Sequence, residues 1–215
     1  MRKLTKLAAL IVCSFVQSQL VGAAEFFYLG ESKTLLVMGE TVPEDVGEFR
    51  HFVSEKNVET VILRGPGGAL LAAFAIANEI QAKGLRTVVP EKGECASACS
   101  LMFIAGKDRK LEEGSRLGFH LPFLALEPES VKSYCQTVAP KPTGRRNFEY
   151  LLNEQSDPKC LTETYRMGFL HLSLFSKVIR ESDISNEVID IMIETPPESM
   201  SWFDADEAKG LNLVN

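Results

Sequence analysis

The sequence lacks a hydrophobic segment long enough to cross a membrane. Its longest apolar run covers the ten residues 7–16, whereas a transmembrane helix needs about 20. The run follows a basic start and precedes the small residues Ala23 and Ala24, an order typical of a secretory signal peptide. We therefore expect a signal peptide over residues 1–24, a mature chain over 25–215 with no stable membrane span, and a periplasmic or secreted location. An uncleaved anchor and a lipoprotein are the alternatives.

The chain is also short of basic residues. It has 23 Lys and Arg against 29 Asp and Glu, a net charge of −6. Removal of the three basic residues of the signal peptide changes the net charge to −9. Because this excess of negative charge repels phosphate groups, nucleic acid and anionic lipid are not expected as partners. The sequence shows no repeat, low-complexity tract or long Gly/Ser linker, and its length suits one domain with its own core.

Apolar residues alternate between strand-like and helix-like spacing. Short apolar runs predict strands at 34–38, 60–63 and 85–89, and helical spacing predicts helices at 43–55, 69–83, 161–180 and 186–194. Strands that alternate with helices of this length pair in parallel through crossover connections. The sequence therefore predicts an α/β fold.

The segment 93–120 carries the most distinctive chemistry. Ser97 stands at the start of an apolar run predicted to form a helix that Gly106 ends in the left-handed conformation. The unpaired N–H groups at the start of such a helix can hold an oxyanion. His120 ends a predicted strand, and a histidine that accepts the proton of a serine makes that serine a nucleophile. The alternative is structural, since serine is a favoured helix N-cap and a histidine can be satisfied in a polar pocket.

The order of these features resembles the proteolytic subunit of the Clp protease and the wider Clp protease/crotonase superfamily. The shared pieces are the turn Pro66-Gly67-Gly68 after a strand, the serine-headed helix, Arg109, and the strand that ends in histidine. The closing segment WFDADEAKGLNLVN is similar to the last helix and strand of that family. The resemblance covers residues 34–120 and 201–215, and residues 121–197 form a divergent, partly inserted segment. It implies the ββα spiral of the Clp protease/crotonase-like fold as a single domain over 25–215.

The resemblance also implies roles for individual residues. Ser97 is the expected nucleophile and His120 its base, and their separation of 23 residues is close to that in the family. The N–H groups of Gly68 and Ala98 are the expected oxyanion donors.

The third triad position departs from the family pattern. The aspartate of the family falls at Thr195 or Pro196, where this chain has no acid, and Glu194 is the best substitute. The other two histidines, His51 and His171, fall in predicted helices and are expected to be surface or core residues rather than ligands.

Four cysteines remain after removal of the signal peptide, and an even number in an exported chain predicts two disulfides. Three pairings are possible. We expect Cys95–Cys99, which lies in one turn, together with Cys135–Cys160, which brackets the divergent segment. A zinc site is the alternative, but the spacings include no CxxC pair, so no metal is expected.

These features favour an exported, ATP-independent serine hydrolase, and a peptidase in particular. Its substrate would be a peptide or protein, and it would need no cofactor. The sequence leaves open whether the chain forms a homo-oligomer. The alternative is a non-catalytic binding or assembly protein on the same fold. An acyl-CoA enzyme of the crotonase type ranks third, because an exported chain would rarely meet coenzyme A.

Overall fold

The computed structural model describes residues 23–122 and 158–215. Its strands are β1 (Glu25–Leu29), β2 (Thr34–Thr41), β3 (Thr60–Gly68), β4 (Arg86–Val89), β5 (Glu94–Ala96), β6 (Arg109–Leu111), β7 (Arg116–Phe119) and β8 (Ser201–Phe203). Its helices are α1 (Asp45–Glu55), α2 (Leu70–Lys83), α3 (Ala98–Ile104), α4 (Pro158–Glu181), α5 (Glu187–Glu194) and α6 (Ala205–Gly210). Residues 1–22 of the predicted signal peptide and the side chains of the predicted Cys135–Cys160 disulfide are outside what the structure describes, so both stay predictions.

The sheet is mixed, with mostly parallel pairs. β2, β3, β4 and β6 pair in parallel order, and β3, β5 and β7 form a second parallel series. β1 pairs antiparallel with β2, and β8 pairs antiparallel with β7. The predicted α/β class with parallel crossovers is therefore confirmed, and two antiparallel strands complete the sheet.

Strand β3 belongs to both parallel series. Its first part, at Thr60 to Ile62, pairs with β4, whereas Gly65 pairs with Cys95 of β5. The sheet thus forks along β3. Because β3, β5 and β7 run parallel as neighbours, their carboxyl ends meet at one edge of the sheet, which is where α/β proteins bind ligands.

Helices α2 and α3 form the centre of the core. Every residue of α3 is buried, and α2 contributes a buried face that includes Ala73, Ile76 and Ile80. Gly84 ends α2 with a φ of 58°, which confirms the left-handed ending that its sequence position indicates. No helix in the described ranges is both long and apolar enough to cross a membrane.

Gly106 does not adopt the left-handed conformation that we expected of it. Helix α3 ends at Ala105 in an ordinary right-handed conformation, and the φ of Gly106 is not positive. The glycine is needed for space instead, because a Cβ at this position would overlap the side chain of Thr87.

Part of the divergent segment packs on the same core. Phe175 and Ile179 of α4 and Val188 and Met192 of α5 are buried in one hydrophobic cluster with α2 and α3. Phe175 also packs edge-on against Phe119, so α4 lies beside the carboxyl end of β7.

Arg109 connects the C-terminal end to the core. Its guanidinium donates hydrogen bonds of 3.0 Å each to the carbonyl oxygens of Gly106, Asn212 and Leu213. A buried arginine with three backbone acceptors has a structural role here. Arg109 is therefore placed by the structure away from the serine and the histidine, at the closing segment that it holds.

Candidate active site

A cavity of about 510 Å³ opens at the edge where the parallel strands end. It is lined by Glu40, Pro66, Gly68, Ala69, Leu70, Ser97, His120, Pro122, His171, Phe175 and Pro197. The structure thus brings three of the sequence-predicted residues, Gly68, Ser97 and His120, to one cavity. Each of them lies at or just beyond the carboxyl end of its strand.

Ser97 occupies a tight junction between β5 and α3. Its backbone has φ 56° and ψ −122°, a combination that costs a non-glycine residue about 1–3 kcal/mol. The Ser97 N–H donates to the carbonyl of Gly118 at 2.8 Å, which ties the junction to β7. The surrounding structure therefore holds the serine in a strained conformation.

The disulfide between Cys95 and Cys99 brackets this junction and confirms the first predicted pair. The two α-carbons are 5.2 Å apart, and both residues are buried. The bond joins strand β5, which precedes Ser97, to the first turn of α3, which follows it. It therefore limits how far the backbone of the serine can relax. It contributes to holding Ser97 in place.

The side chain of Ser97 bonds to histidine and does not cap the helix. Its Oγ lies 2.8 Å from Nε2 of His120, and it makes no hydrogen bond to the first turn of α3. The N-cap alternative is therefore wrong for this side chain.

The contacts of His120 determine its tautomer. Nδ1 lies 2.9 Å from the carbonyl oxygen of Leu121, and a carbonyl can only accept, so Nδ1 carries the hydrogen. Nε2 then has a free lone pair and accepts the hydroxyl proton of Ser97. This is the tautomer that a general base needs.

Burial lowers the pKa of His120 below its ordinary value, and the hydrogen bond to the Leu121 carbonyl opposes that change. The residue is only 9% exposed, so the charged imidazolium loses hydration. The ring is consequently neutral, and able to accept a proton, at neutral pH.

Thr195, one of the two positions at which the resemblance implies an acid, is linked to His120 through the backbone. The carbonyl of Thr195 accepts the N–H of Leu121 at 2.9 Å, and the carbonyl of Leu121 in turn accepts from His120. Glu194, by contrast, is exposed at the end of α5 and is not among the residues that line the cavity. The structure does not place Glu194 against His120 in the described part of the chain.

The glycine turn packs directly against the serine. Gly67 has φ 107°, and a Cβ there would lie 2.8 Å from Cβ of Ser97 and 2.9 Å from the backbone nitrogen of Ala98. Gly68, with φ 127°, lines the cavity itself. Gly67 thus lies against the backbone of Ser97 and Ala98, and Gly68 lines the same cavity as Ser97.

Comparison with protein-family models and with curated proteins gives no match. The functional argument therefore rests on the geometry of this site.

Two ionisable residues of the cavity, His171 and Glu40, were not predicted from the sequence as site residues. His171 of α4 is buried as a core residue would be, but it lines the cavity opposite the strand ends. Its position four residues before Phe175, another lining residue, is the signal that could have identified it. Glu40 lies two residues after the predicted end of its strand and belongs to no recognisable motif, so the sequence gives no sign that it is a site residue. No cluster of three or more metal-binding side chains occurs in the described ranges.

Proposed function

We propose that the chain is a serine hydrolase that forms an acyl intermediate on Ser97, with peptides or proteins as substrates. The observation that carries the proposal is the 2.8 Å hydrogen bond between Ser97 Oγ and His120 Nε2. Strained backbone at Ser97 supports it, because such outliers cluster at active sites.

The reaction follows from the tautomer of His120. As Ser97 Oγ attacks the substrate carbonyl carbon, its proton passes to Nε2, and the oxyanion receives hydrogen bonds from the N–H groups of Gly68 and Ala98. The imidazolium then donates the proton to the leaving amine nitrogen, and the C–N bond breaks. Water then loses a proton to Nε2 and attacks the acyl carbon, the bond between that carbon and Ser97 Oγ breaks, and Oγ takes the proton back from Nε2 as the acid leaves. No ATP or cofactor takes part in these steps.

The carbonyl of Leu121 orients the imidazole in this proposal. It holds the hydrogen on Nδ1, which is one of the two tasks of a triad carboxylate.

We further propose that the fold is the Clp protease/crotonase-like spiral in a single domain, and that the chain is exported. The forked parallel sheet, with its glycine turn, serine and histidine at neighbouring strand ends, supports the spiral. The buried Cys95–Cys99 disulfide supports an oxidising compartment, since disulfides are rare in the cytosol.

The second candidate is a non-catalytic binding or assembly protein. One observation favours it, which is that Thr195 and Pro196 stand where the family has an acid. A protein of this kind would keep the Ser97–His120 contact for structure and would not react with acylating reagents.

The two candidates differ in their reaction with a fluorophosphonate probe. We expect covalent labelling, with the modified peptide mapped by mass spectrometry to Ser97. Ser97→Ala should lose the label, and Ser54→Ala, an exposed control in α1, should keep it. Absence of labelling together with no hydrolysis of a broad peptide and ester panel would favour the binding protein.

The acid limb of the pH profile should lie below the ordinary histidine range. Only neutral His120 accepts the serine proton, and burial lowers the pKa of its imidazole below 6.5. The rate of Ser97 labelling should therefore decline as the pH falls through this lowered pKa, and its half-maximal value should lie below pH 6.5. Labelling rates measured from pH 4 to 8 check this, and a half-maximal rate above pH 6.5 would contradict it.

A further inference from the structure

Glu40 lies at an irregularity in the pairing of β2 with β3. Met38 pairs with Arg64 and Glu40 with Gly67, so a step of two residues along β2 matches a step of three along β3, and Gly39 has φ 112°. Such bulges are frequent beside active sites. Glu40 lines the cavity and lies beside Gly68, where a Cβ on the glycine would lie 2.9 Å from Cγ of Glu40.

Among the described residues that line the cavity, the carboxylate of Glu40 is the one formal charge. It has no hydrogen bond or ion pair within the described residues, although it is half-buried. The two histidines of the cavity are neutral at neutral pH, because burial lowers the pKa of both His120 and His171. The described lining of the cavity is therefore negatively charged, and a bound cation would compensate for the partial loss of hydration of the Glu40 carboxylate.

His171 supplies an independent sign of a missing ligand. The residue is 7% exposed, and its Nδ1 is buried with no hydrogen-bond partner in the part of the chain that is described. Buried polar atoms in native proteins are almost always paired, so an exception calls for a partner from outside the chain. Nδ1 has almost no accessible surface in the present orientation of the ring, so it can accept a hydrogen bond from a group in the cavity only after a half-turn of the ring.

We propose that this cavity binds a cationic group of the substrate, the amine of a lysine or the guanidinium of an arginine, with Glu40 as its counter-ion and His171 as a second acceptor. The remaining lining includes Leu70, Phe175 and Pro197, which provide apolar surface for the methylene stem of such a side chain. The inference rests on the proposed function in taking the cavity beside Ser97 as the substrate cleft. It makes Glu40 the residue that determines specificity.

Binding measurements test this without turnover. The Ser97→Ala form of the full chain is titrated calorimetrically with Nα-acetyl-lysine methylamide, whose side-chain amine is free and charged. The neutral comparison compound is Nα-acetyl-norleucine methylamide, which lacks that amine. The same ammonium group also occurs at a peptide N-terminus. Norleucine methylamide with a free α-amine tests binding of that group. We expect the acetyl-lysine compound to bind at least about tenfold more tightly than the acetyl-norleucine compound, since a partly desolvated charge pair adds on the order of a factor of ten. Preference for the free α-amine compound over the acetyl-lysine compound would assign the site to a chain terminus and overturn the side-chain proposal.

A matched pair of variants isolates the carboxylate. Glu40→Gln removes the charge and keeps the shape, so the tenfold preference should fall to less than about threefold. Glu31→Gln makes the same change at an exposed position before the start of β2 and should leave the preference intact. An unchanged preference in Glu40→Gln would overturn the role of this residue.

His171→Phe separates a ligand-binding role from a structural one. The change removes the unpartnered nitrogen, so the thermal midpoint should stay the same or rise. Affinity for Nα-acetyl-lysine methylamide should nevertheless fall several-fold. A lower midpoint with unchanged affinity would show that His171 only supports the fold, and would overturn its part in the proposal.

The outcomes also distinguish this inference from the proposed function. Hydrolysis with equal affinity for the lysine and norleucine compounds would overturn the inference and leave the hydrolase. Selective binding without labelling of Ser97 would overturn the hydrolase and leave a binding site for cationic side chains. No binding of any compound at millimolar concentration would overturn the inference.

Discussion

Replacement of Ser97 by alanine is expected to lower kcat by about 10⁴- to 10⁶-fold, and His120→Ala should have a similar effect. Loss of one member of a serine–histidine pair removes nearly the whole benefit of the pair, because the nucleophile and its base act as a unit. The double variant should therefore be about as slow as either single variant. Steady-state rates on a substrate found with the peptide and ester panel give this comparison.

The stability of the same variants provides the control. Ser97→Ala keeps a Cβ on the strained backbone, so its thermal midpoint should stay close to that of the parent chain. Ser97→Gly relieves the strain, since glycine adopts a positive φ readily. It should be more stable than Ser97→Ala by about 1 kcal/mol and equally inactive. A Ser97→Ala variant that retains activity would contradict the proposed nucleophile.

The long elements could be predicted because their patterns are local. Helix α2 shows its buried face in the spacing of its apolar residues and its end in Gly84. The Cys95–Cys99 bond could be predicted because its partners lie within one turn of chain. The contact between Ser97 and His120 was predicted from resemblance, and its physical basis is that β5 and β7 are parallel neighbours whose ends coincide.

The remaining features depend on contacts between distant segments. Strand β3 was expected to end at Leu63 but continues to Gly68, because its last residues pair with β2 and its centre with β5. Strands of three residues, such as β5 and β8, are too short to show a period. The sequence predicts a left-handed helix end at Gly106, because it cannot show that the side chain of Thr87 occupies the space next to this glycine.

The site itself was only partly predictable for the same reason. Glu40 lies where the pairing of β2 with β3 changes register, and His171 lies on a helix that borders the same cavity. Neither feature leaves a motif in the sequence. The position of Glu194 in the sequence indicates it as the third triad residue. In the structure, His120 instead contacts the backbone carbonyl of Leu121, whose N–H donates to the carbonyl of Thr195.

Gly67→Ala is expected to destabilise the protein and to lower its activity together. The new Cβ would lie 2.8 Å from both the carbonyl oxygen of Ala96 and the Cβ of Ser97, at a backbone with φ 107° that side chains rarely adopt. Strain and overlap together should lower the free energy of unfolding by about 3 kcal/mol, which corresponds to about 6–12 °C in the thermal midpoint. Displacement of Ser97 and Ala98 should also reduce kcat by about 100-fold at temperatures where the variant is folded.

Gly47→Ala is the matched control for this change. Gly47 lies in α1, where an added Cβ meets no atom within 4 Å. Alanine there should raise the free energy of unfolding by about 0.5–1 kcal/mol, because it favours the helix more than glycine does. Thermal unfolding and steady-state kinetics of the two variants measure both effects. If Gly67→Ala were as stable and active as Gly47→Ala, the close packing of the glycine turn against Ser97 would not be required, and the turn could not be what positions the proposed nucleophile.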